Sequence, residues 1–206
     1  MIKLKVFINL EKEEKWLTEM AERGWEVNKV SLFYHFTKIV PYKGIYKIDF
    51  REFKNKYDFE DYKSIFEDSG WTHIAGTKTS GLQYFKCKSE NSNNDIFSDS
   101  RSRAVRYKRM SDRYLLYTVP FLSWLLTMIC GGTINLNYFL SPKSWYLTPG
   151  LWDMEGTKFI YSFLFETPFA VMRGCSWLIV VFFIMMNIIF SIKTKRIYKK
   201  HLKSDK

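Results

Sequence analysis

Side chains suited to catalysis are scattered along this chain. Its three histidines, His35, His73 and His201, lie at metal-ligand spacing neither from one another nor from a cysteine or a pair of carboxylates. The sequence contains no HExxH, GxSxG or GxxxxGK[ST] motif, so the usual zinc-protease, serine-hydrolase and nucleotide-phosphate signatures are missing. We therefore predict no enzyme and no cofactor, and we assign no catalytic, cofactor-binding or metal-binding residue.

The other candidate polar residues have structural interpretations. Asp49 and Arg51 end a predicted strand, where a surface ion pair is expected. Asn187 is the strongly polar residue of a long apolar run, which favours a helix–helix contact with another apolar segment or another subunit. The number of cysteines is odd and no CxxC occurs, so free thiols are expected at Cys87, Cys130 and Cys175.

The first 90 residues contain an internal duplication. Each copy has a strand, a helix, a Gly-Trp pair and two further apolar-alternating runs. The predicted strands are 3–9 and 44–50, the predicted helices are 11–23 and 58–69, and the Gly-Trp pairs are Gly24-Trp25 and Gly70-Trp71. Each glycine suits a helix C-cap, Asp58 is a candidate N-cap, and Trp25 and Trp71 are expected to seal the core. The pattern predicts an α+β, ferredoxin-like domain with one antiparallel sheet and both helices on one face.

The second half contains two long stretches without charge. They comprise 29 residues between Arg113 and Lys143 and 19 residues between Arg173 and Lys193. A bilayer core about 30 Å thick requires roughly 20 helical residues, so we predict a two-helix transmembrane hairpin with spans near 114–134 and 175–192. Pro120 is expected to kink the first span, and Gly131-Gly132 to end it.

Charge sets the expected orientation. Basic and acidic residues number 16 and 15 up to residue 98, but 16 and 6 from residue 99 onward. The excess flanks the two spans, so both termini are expected on the cytoplasmic side of the cell membrane. The predicted membrane-surface residues are Arg101, Arg103, Arg106, Lys108, Arg109, Arg113, Lys193, Lys195, Arg196, Lys199 and Lys200. Setting topology and holding anionic lipid head groups are both open roles for them, whereas nucleic-acid binding is not expected.

The predicted divisions of the chain follow from these patterns. They are an α+β domain over 1–90, a polar linker and basic juxtamembrane segment over 91–113, the hairpin over 114–192 and a basic tail over 193–206. The loop between the spans is rich in aromatic residues, and its part 159–172 is expected at the outer membrane interface or packed on the spans. Lys3 and Lys5 interrupt the N-terminal apolar stretch, so no cleavable signal peptide is expected.

Three segments of the first half carry a family resemblance. KVFINLEKEEKWLTEMAERGWEVNKV, YKIDFRE and YKSIFEDSGWTHI resemble the bacterial family of domains of unknown function numbered 2812, DUF2812. The resemblance implies an N-terminal domain followed by hydrophobic segments, an origin in Firmicutes, and genes near PadR-like regulators, hence regulated expression, with envelope stress as one setting. It implies no activity and no catalytic residues.

Three functions remain open from the sequence. The leading hypothesis is a membrane-anchored binding or sensory module of unknown ligand. The alternative is an accessory subunit of a transport or export complex, assembled through the hairpin with itself or with another membrane protein. A membrane enzyme acting on lipid or envelope precursors would need convergent polar residues at the membrane interface. Loss of function on replacing His35, Asp49 or Glu166, with folding intact, would support that hypothesis.

Overall fold

The computed structural model describes residues 1–87, 95–132 and 142–203. The chain divides into two compact units: an α+β unit of Met1–Arg113 with Phe190–Lys206, and an apolar unit of Tyr114–Ile189. The start of the predicted linker (91–94), the end of the first predicted span (133–134) and the last tail residues (204–206) lie outside the described residues.

The α+β unit begins with a β-α-β-β segment. Its elements are β1 (Ile2–Lys3), α1 (Leu10–Glu22), β2 (Trp25–Val30) and β3 (Tyr34–Lys38). The side chain of Asn9 caps α1 by accepting hydrogen bonds from the backbone N–H groups of Glu11 and Lys12, at 2.9 and 3.2 Å. Gly24, with a φ of 79°, ends the helix as predicted. The three strands form an antiparallel sheet in the order β1-β3-β2.

A second segment has the same strand order. Its elements are β4 (Tyr46–Phe50), α2 (Lys56–Asp68), β5 (Trp71–Ala75) and β6 (Leu82–Cys87). These strands form another antiparallel sheet in the order β4-β6-β5. Its core is a cluster of Phe59, Tyr62, Trp71, Phe85 and Cys87. The N-cap of α2 is Asn55, and the predicted cap, Asp58, lies in the first turn of the helix.

The prediction of one antiparallel sheet is wrong, because the described strands form two sheets of three strands each. β4 pairs with β6 on one side only. On its other side, the backbone groups of Ile48 and Phe50 bond to the side chains of Glu14, Arg106 and Arg109. Side chains therefore occupy the edge where a further strand would pair. The mixed α+β class is confirmed.

The predicted strand 3–9 is also largely wrong. β1 ends at Lys3 because its partner strand β3 begins at Tyr34, the residue opposite Lys3. Leu4 and the residues after it have no strand to pair with, and Val6 is 73% exposed. The chain then enters α1 directly after the Asn9 cap.

Two long helices follow the sheets: α3 (Ser100–Cys130) and α4 (Gly156–Lys203). Both are long and apolar enough to cross a membrane. α3 ends next to Gly132, whose φ is 69°, as the Gly-Gly pair predicted. Within the apolar unit, the rings of Phe121 and Phe183 stack with centroids 5.3 Å apart.

The two segments that precede the predicted spans are helical. The juxtamembrane residues from Ser100 to Arg113 are the first turns of α3. α4 begins at Gly156, so the predicted interfacial segment 159–172 belongs to the same 48-residue helix as the second predicted span. Pro168 lies within α4 and removes one backbone hydrogen bond, a loss that a helix of this length tolerates.

Candidate functional site

Four arginines line one face of the first turns of α3. Their spacing of three, three and four residues places them on the same side of the helix. Each forms an ion pair with a carboxylate of the α+β unit: Arg103 with Asp95, Arg106 with Glu14, Arg109 with Asp49 and Arg113 with Glu52. We call these four residues the arginine series. It joins α3 to α1, to β4 and to the segment after β4.

Arg106 is the most deeply buried member of the arginine series, at 1% exposure. Its Nη1 donates hydrogen bonds to Oε1 of Glu14 and to the carbonyl oxygen of Ile48. The N–H of Ile48 donates to the same Glu14 oxygen at 3.1 Å. One arginine and one glutamate thus satisfy both backbone groups of an edge residue of β4.

The charges of this pair depend on each other. Burial raises the pKa of Glu14, while the charge and hydrogen bonds of Arg106 oppose that rise. Burial lowers the pKa of Arg106, but Glu14 and other neighbours shift it upward overall. Two charges removed from water in this way are costly to separate, because either one alone would be buried and unpaired.

Arg109 occupies the next position along β4. Its Nη1 donates to the carbonyl oxygen of Phe50 at 2.8 Å and lies 3.4 Å from both carboxylate oxygens of Asp49. Asp49 also accepts a hydrogen bond from the hydroxyl of Tyr62 at 3.0 Å. The predicted Asp49–Arg51 pair is therefore replaced by an Asp49–Arg109 pair, and the Arg51 guanidinium lies over the Tyr62 ring, 5.4 Å from its centroid.

A polar cleft of ≈ 450 Å³ opens beside this strand end. Its lining includes Glu52 and Tyr62, which contact Arg113 and Asp49 respectively. The remaining lining residues are Arg51, Phe53, Lys54, Asn55, Asp58, Asp61 and Ile65. The lining of the cleft thus includes one partner of the arginine series, Glu52, and one residue, Tyr62, that bonds to a second partner, Asp49.

A second carboxylate, Glu13, is buried between the two sheets at 1% exposure. Its Oε1 accepts hydrogen bonds from the hydroxyls of Tyr34 at 2.6 Å and Tyr84 at 2.7 Å. Tyr34 lies on β3 and Tyr84 on β6, so this carboxyl group joins the two sheets. Burial raises the pKa of Glu13, and the tyrosine hydrogen bonds oppose the rise.

The family of the chain can now be assigned. The family model described as Protein of unknown function (DUF2812) matches residues 9–119, more than half of the chain. The chain belongs to the DUF2812 family. The matched region begins at the cap of α1 and continues into α3, so it contains the arginine series and its four carboxylates. No curated protein and no solved structure matches this DUF2812 protein.

Sequence reasoning missed Glu13 and Glu14. A signal for both was present, because they lie three and four residues after Leu10 and four and three residues before Leu17, within the stripe that α1 buries. A charged residue on a buried helical stripe needs a partner, which is the role that Tyr34, Tyr84 and Arg106 fill.

The predicted membrane-surface residues separate into two groups. That prediction is wrong for Arg106, which is buried against Glu14 and Ile48, and the other three members of the arginine series have carboxylate partners. The exposed residues of the predicted set are Arg101, Lys108, Lys193, Lys195, Arg196, Lys199 and Lys200.

The other predicted residues have simpler surroundings. Trp71 is 1% exposed, as expected for a core residue, whereas Trp25 is only half-buried. Asn187 is buried, and its amide donates to the carbonyl oxygen of Phe183 in its own helix at 2.9 Å. The three cysteines form no disulfide among the described residues. The described residues contain no group of histidines, cysteines and carboxylates that could hold a metal ion.

The C-terminal end of α4 packs within the α+β unit. The hydroxyls of Ser111 and Ser191 are 2.8 Å apart, which joins the first turns of α3 to α4. His201 stacks on the Tyr107 ring at 5.6 Å, and its Nε2 lies 3.2 Å from a carboxylate oxygen of Glu11. The part of the predicted tail that the structure describes is therefore helical and packed along one face.

Glu166 of the apolar unit has a structural role. Its carboxylate accepts hydrogen bonds from the backbone N–H groups of Leu147 and Thr148, the latter at 2.9 Å. Arg173 contacts the carbonyl oxygen of Trp145 and lies 3.9 Å from Glu166. The segment after Pro142 is thereby fixed along the first half of α4.

Replacing Glu13 by glutamine should remove a pH dependence of stability. The folded state holds the Glu13 proton more tightly than the unfolded state, whose pKa is near 4.5. The free energy of unfolding of the wild type should therefore fall as pH rises from 4.5 through the raised pKa of the folded state. Glu13→Gln cannot ionise, so its stability relative to wild type should grow over that range in urea unfolding.

The matched control is Glu22→Gln, an exposed position on the same helix. It should follow the pH profile of the wild type. Parallel profiles for Glu13→Gln and wild type would contradict the raised pKa of Glu13.

Proposed function

We propose that this DUF2812 protein is a membrane-anchored sensory or binding module, in which the α+β unit receives a ligand or partner and α3 relays that event to the membrane. The arginine series is the observation that carries the proposal. It fixes the first turns of α3 to strand β4, and the same helix continues as an apolar segment to Cys130.

Membrane anchoring is supported by length, apolar character and charge. The uncharged stretches within α3 and α4, 114–130 and 174–192, are 17 and 19 residues long, close to the roughly 20 residues that cross a bilayer. Large apolar side chains in both stretches are exposed to the surroundings, including Leu126 at 60% and Phe182 at 61%. The basic flanks favour both termini on the cytoplasmic side of a multi-pass protein.

The sensory role is supported by the cleft beside β4. A molecule bound there would touch Glu52, the partner of Arg113, and Tyr62, which donates a hydrogen bond to Asp49, the partner of Arg109. Any ligand that prefers one arrangement of these side chains would shift how firmly α3 is held.

Replacing Tyr62 by phenylalanine tests this coupling without a known ligand. The variant removes the hydroxyl that donates to Asp49 but keeps the ring. A hydrogen bond to a carboxylate contributes about 1.5–3 kcal/mol, so amide hydrogen exchange between residues 103 and 113 should accelerate by at least about tenfold. The measurement uses the full chain recovered from carbonate-washed membranes.

Tyr57→Phe is the matched control, since Tyr57 lies on the same helix and is 80% exposed. It should exchange like the wild type. Unchanged exchange in Tyr62→Phe would refute the coupling, and release of the chain by carbonate would refute the membrane anchor.

An accessory subunit of a transport or export complex is the second candidate. Residues 160–172 of α4 expose a series of large apolar side chains that a larger membrane protein would cover: Ile160, Tyr161, Leu164, Phe165, Phe169 and Met172. Cross-linking in native membranes distinguishes the candidates, because monomers alone would remove this one.

A further inference from the structure

The basic residues near the two apolar stretches are used in different ways. The arginine series of α3 is engaged with carboxylates. In contrast, five cations in the eight residues after Ile192 are exposed and form no ion pair with any residue that the structure describes: Lys193, Lys195, Arg196, Lys199 and Lys200. These five side chains are therefore accessible to a partner from outside the described residues.

Helix geometry separates the two faces of this segment. Ser191, Thr194 and His201 lie on the face that packs within the α+β unit, where Thr194 is fully buried. Their spacing of three and seven residues keeps them on one side of the helix. The five cations occupy the remaining circumference, so docking of α4 leaves them available.

Position along the helix identifies the partner. Lys193 directly follows the uncharged stretch that ends at Ile192. At 1.5 Å per residue, all five cations lie within about 12 Å of that point, close to the Debye length of about 8–10 Å at physiological salt. If the apolar stretch lies in a membrane, the lipid head groups lie at the level of these five cations.

We propose that this lysine-rich face of α4 binds the phosphate head groups of anionic phospholipids in the cytoplasmic leaflet. The inference rests on the proposed membrane insertion and adds a preference for lipid type. Lysine ammonium groups are compact, flexible point charges, which suits several mobile phosphates. The arginines of α3 instead make fixed contacts with carboxylates and carbonyl oxygens.

The test measures lipid retention by the full chain. Protein purified in neutral detergent is given equimolar phosphatidylglycerol and phosphatidylcholine, and native mass spectrometry counts the lipids that stay bound. The wild type should prefer phosphatidylglycerol by at least about tenfold. Changing all five cations to glutamine (K193Q, K195Q, R196Q, K199Q and K200Q) should bring the ratio close to one.

A control with equal charge removal comes from exposed lysines of the α+β unit: K12Q, K15Q, K29Q, K38Q and K78Q. It should keep the wild-type preference, and loss of preference in both variants would overturn the proposal. If the α4 variant does not fold, the wild type alone provides the test. Its preference for phosphatidylglycerol should fall at high salt, and a ratio that does not depend on salt would overturn the inference.

Membrane extraction separates the two proposals. A chain that resists carbonate but shows no preference for phosphatidylglycerol refutes only the lipid-binding face. A chain that carbonate releases refutes the proposed membrane anchor, and the head-group inference with it.

Discussion

Replacing Glu14 by alanine should lower the free energy of unfolding of the α+β unit by about 3–5 kcal/mol, because it leaves Arg106 buried without its main counter-charge. The N–H of Ile48 loses its acceptor in the same variant. The measurement is urea unfolding of the full chain in neutral detergent, followed by hydrogen exchange at β4 and β6. The loss should be visible first as faster exchange at the edge of β4.

The double variant Glu14→Ala/Arg106→Met refines this prediction. It contains no unpaired buried charge, so part of the lost stability should return. Recovery should be incomplete, because both backbone groups of Ile48 remain without partners, at about 1–3 kcal/mol for each unsatisfied group. Glu22→Ala, at an exposed position of the same helix, should change stability by less than about 0.5 kcal/mol. A double variant less stable than Glu14→Ala would show that the charge pair is not the dominant interaction.

Replacing Trp71 by alanine should cost a similar amount, about 3–5 kcal/mol, through loss of buried surface and formation of a cavity. Trp71 is 1% exposed and belongs to the cluster of Phe59, Tyr62, Phe85 and Cys87. The free energy of unfolding in urea measures the effect. The cavity would also loosen Tyr62, so exchange in the first turns of α3 should rise as well.

Trp25→Ala is the natural comparison, since Trp25 occupies the corresponding place in the first segment. It is only half-buried, so its loss should cost markedly less than that of Trp71. Equal losses would mean that both tryptophans seal the core alike, as their matching sequence positions suggest.

Local patterns predicted the helices of the α+β unit well. The stripes of α1 and α2 and the glycines that follow them placed each helix within two residues of its observed bounds. Each signal depends on residues that are close in sequence, so tertiary contacts do little to shift it.

Strand pairing was harder to predict because it depends on distant residues. The extent of β1 is set by where β3 begins, about 30 residues later. The separation into two sheets depends on side chains of α1 and α3 that occupy the free edge of β4. Neither of these contacts produces a sequence pattern within β1 or β4 from which it could be predicted.

Charge alone does not predict the role of the basic block before the first apolar stretch. A count of lysines and arginines predicts topology, but it does not reveal partners such as Asp49 and Glu52, which lie about 60 residues earlier. The three-residue spacing of Arg103, Arg106 and Arg109 was a usable signal, because cations repeated on one helical face favour a matching acidic surface.

The side chains that occupy the outer edge of β4 bear on how the α+β unit can be isolated. A polypeptide truncated before α3 would lack Arg106 and Arg109, which bond to the carbonyl oxygens of Ile48 and Phe50. Open edges of this kind recruit strands from other molecules, so such a fragment is prone to self-association and precipitation. Antibody or crystallisation work on the first half should therefore extend through Arg113, although the predicted domain boundary falls near residue 90.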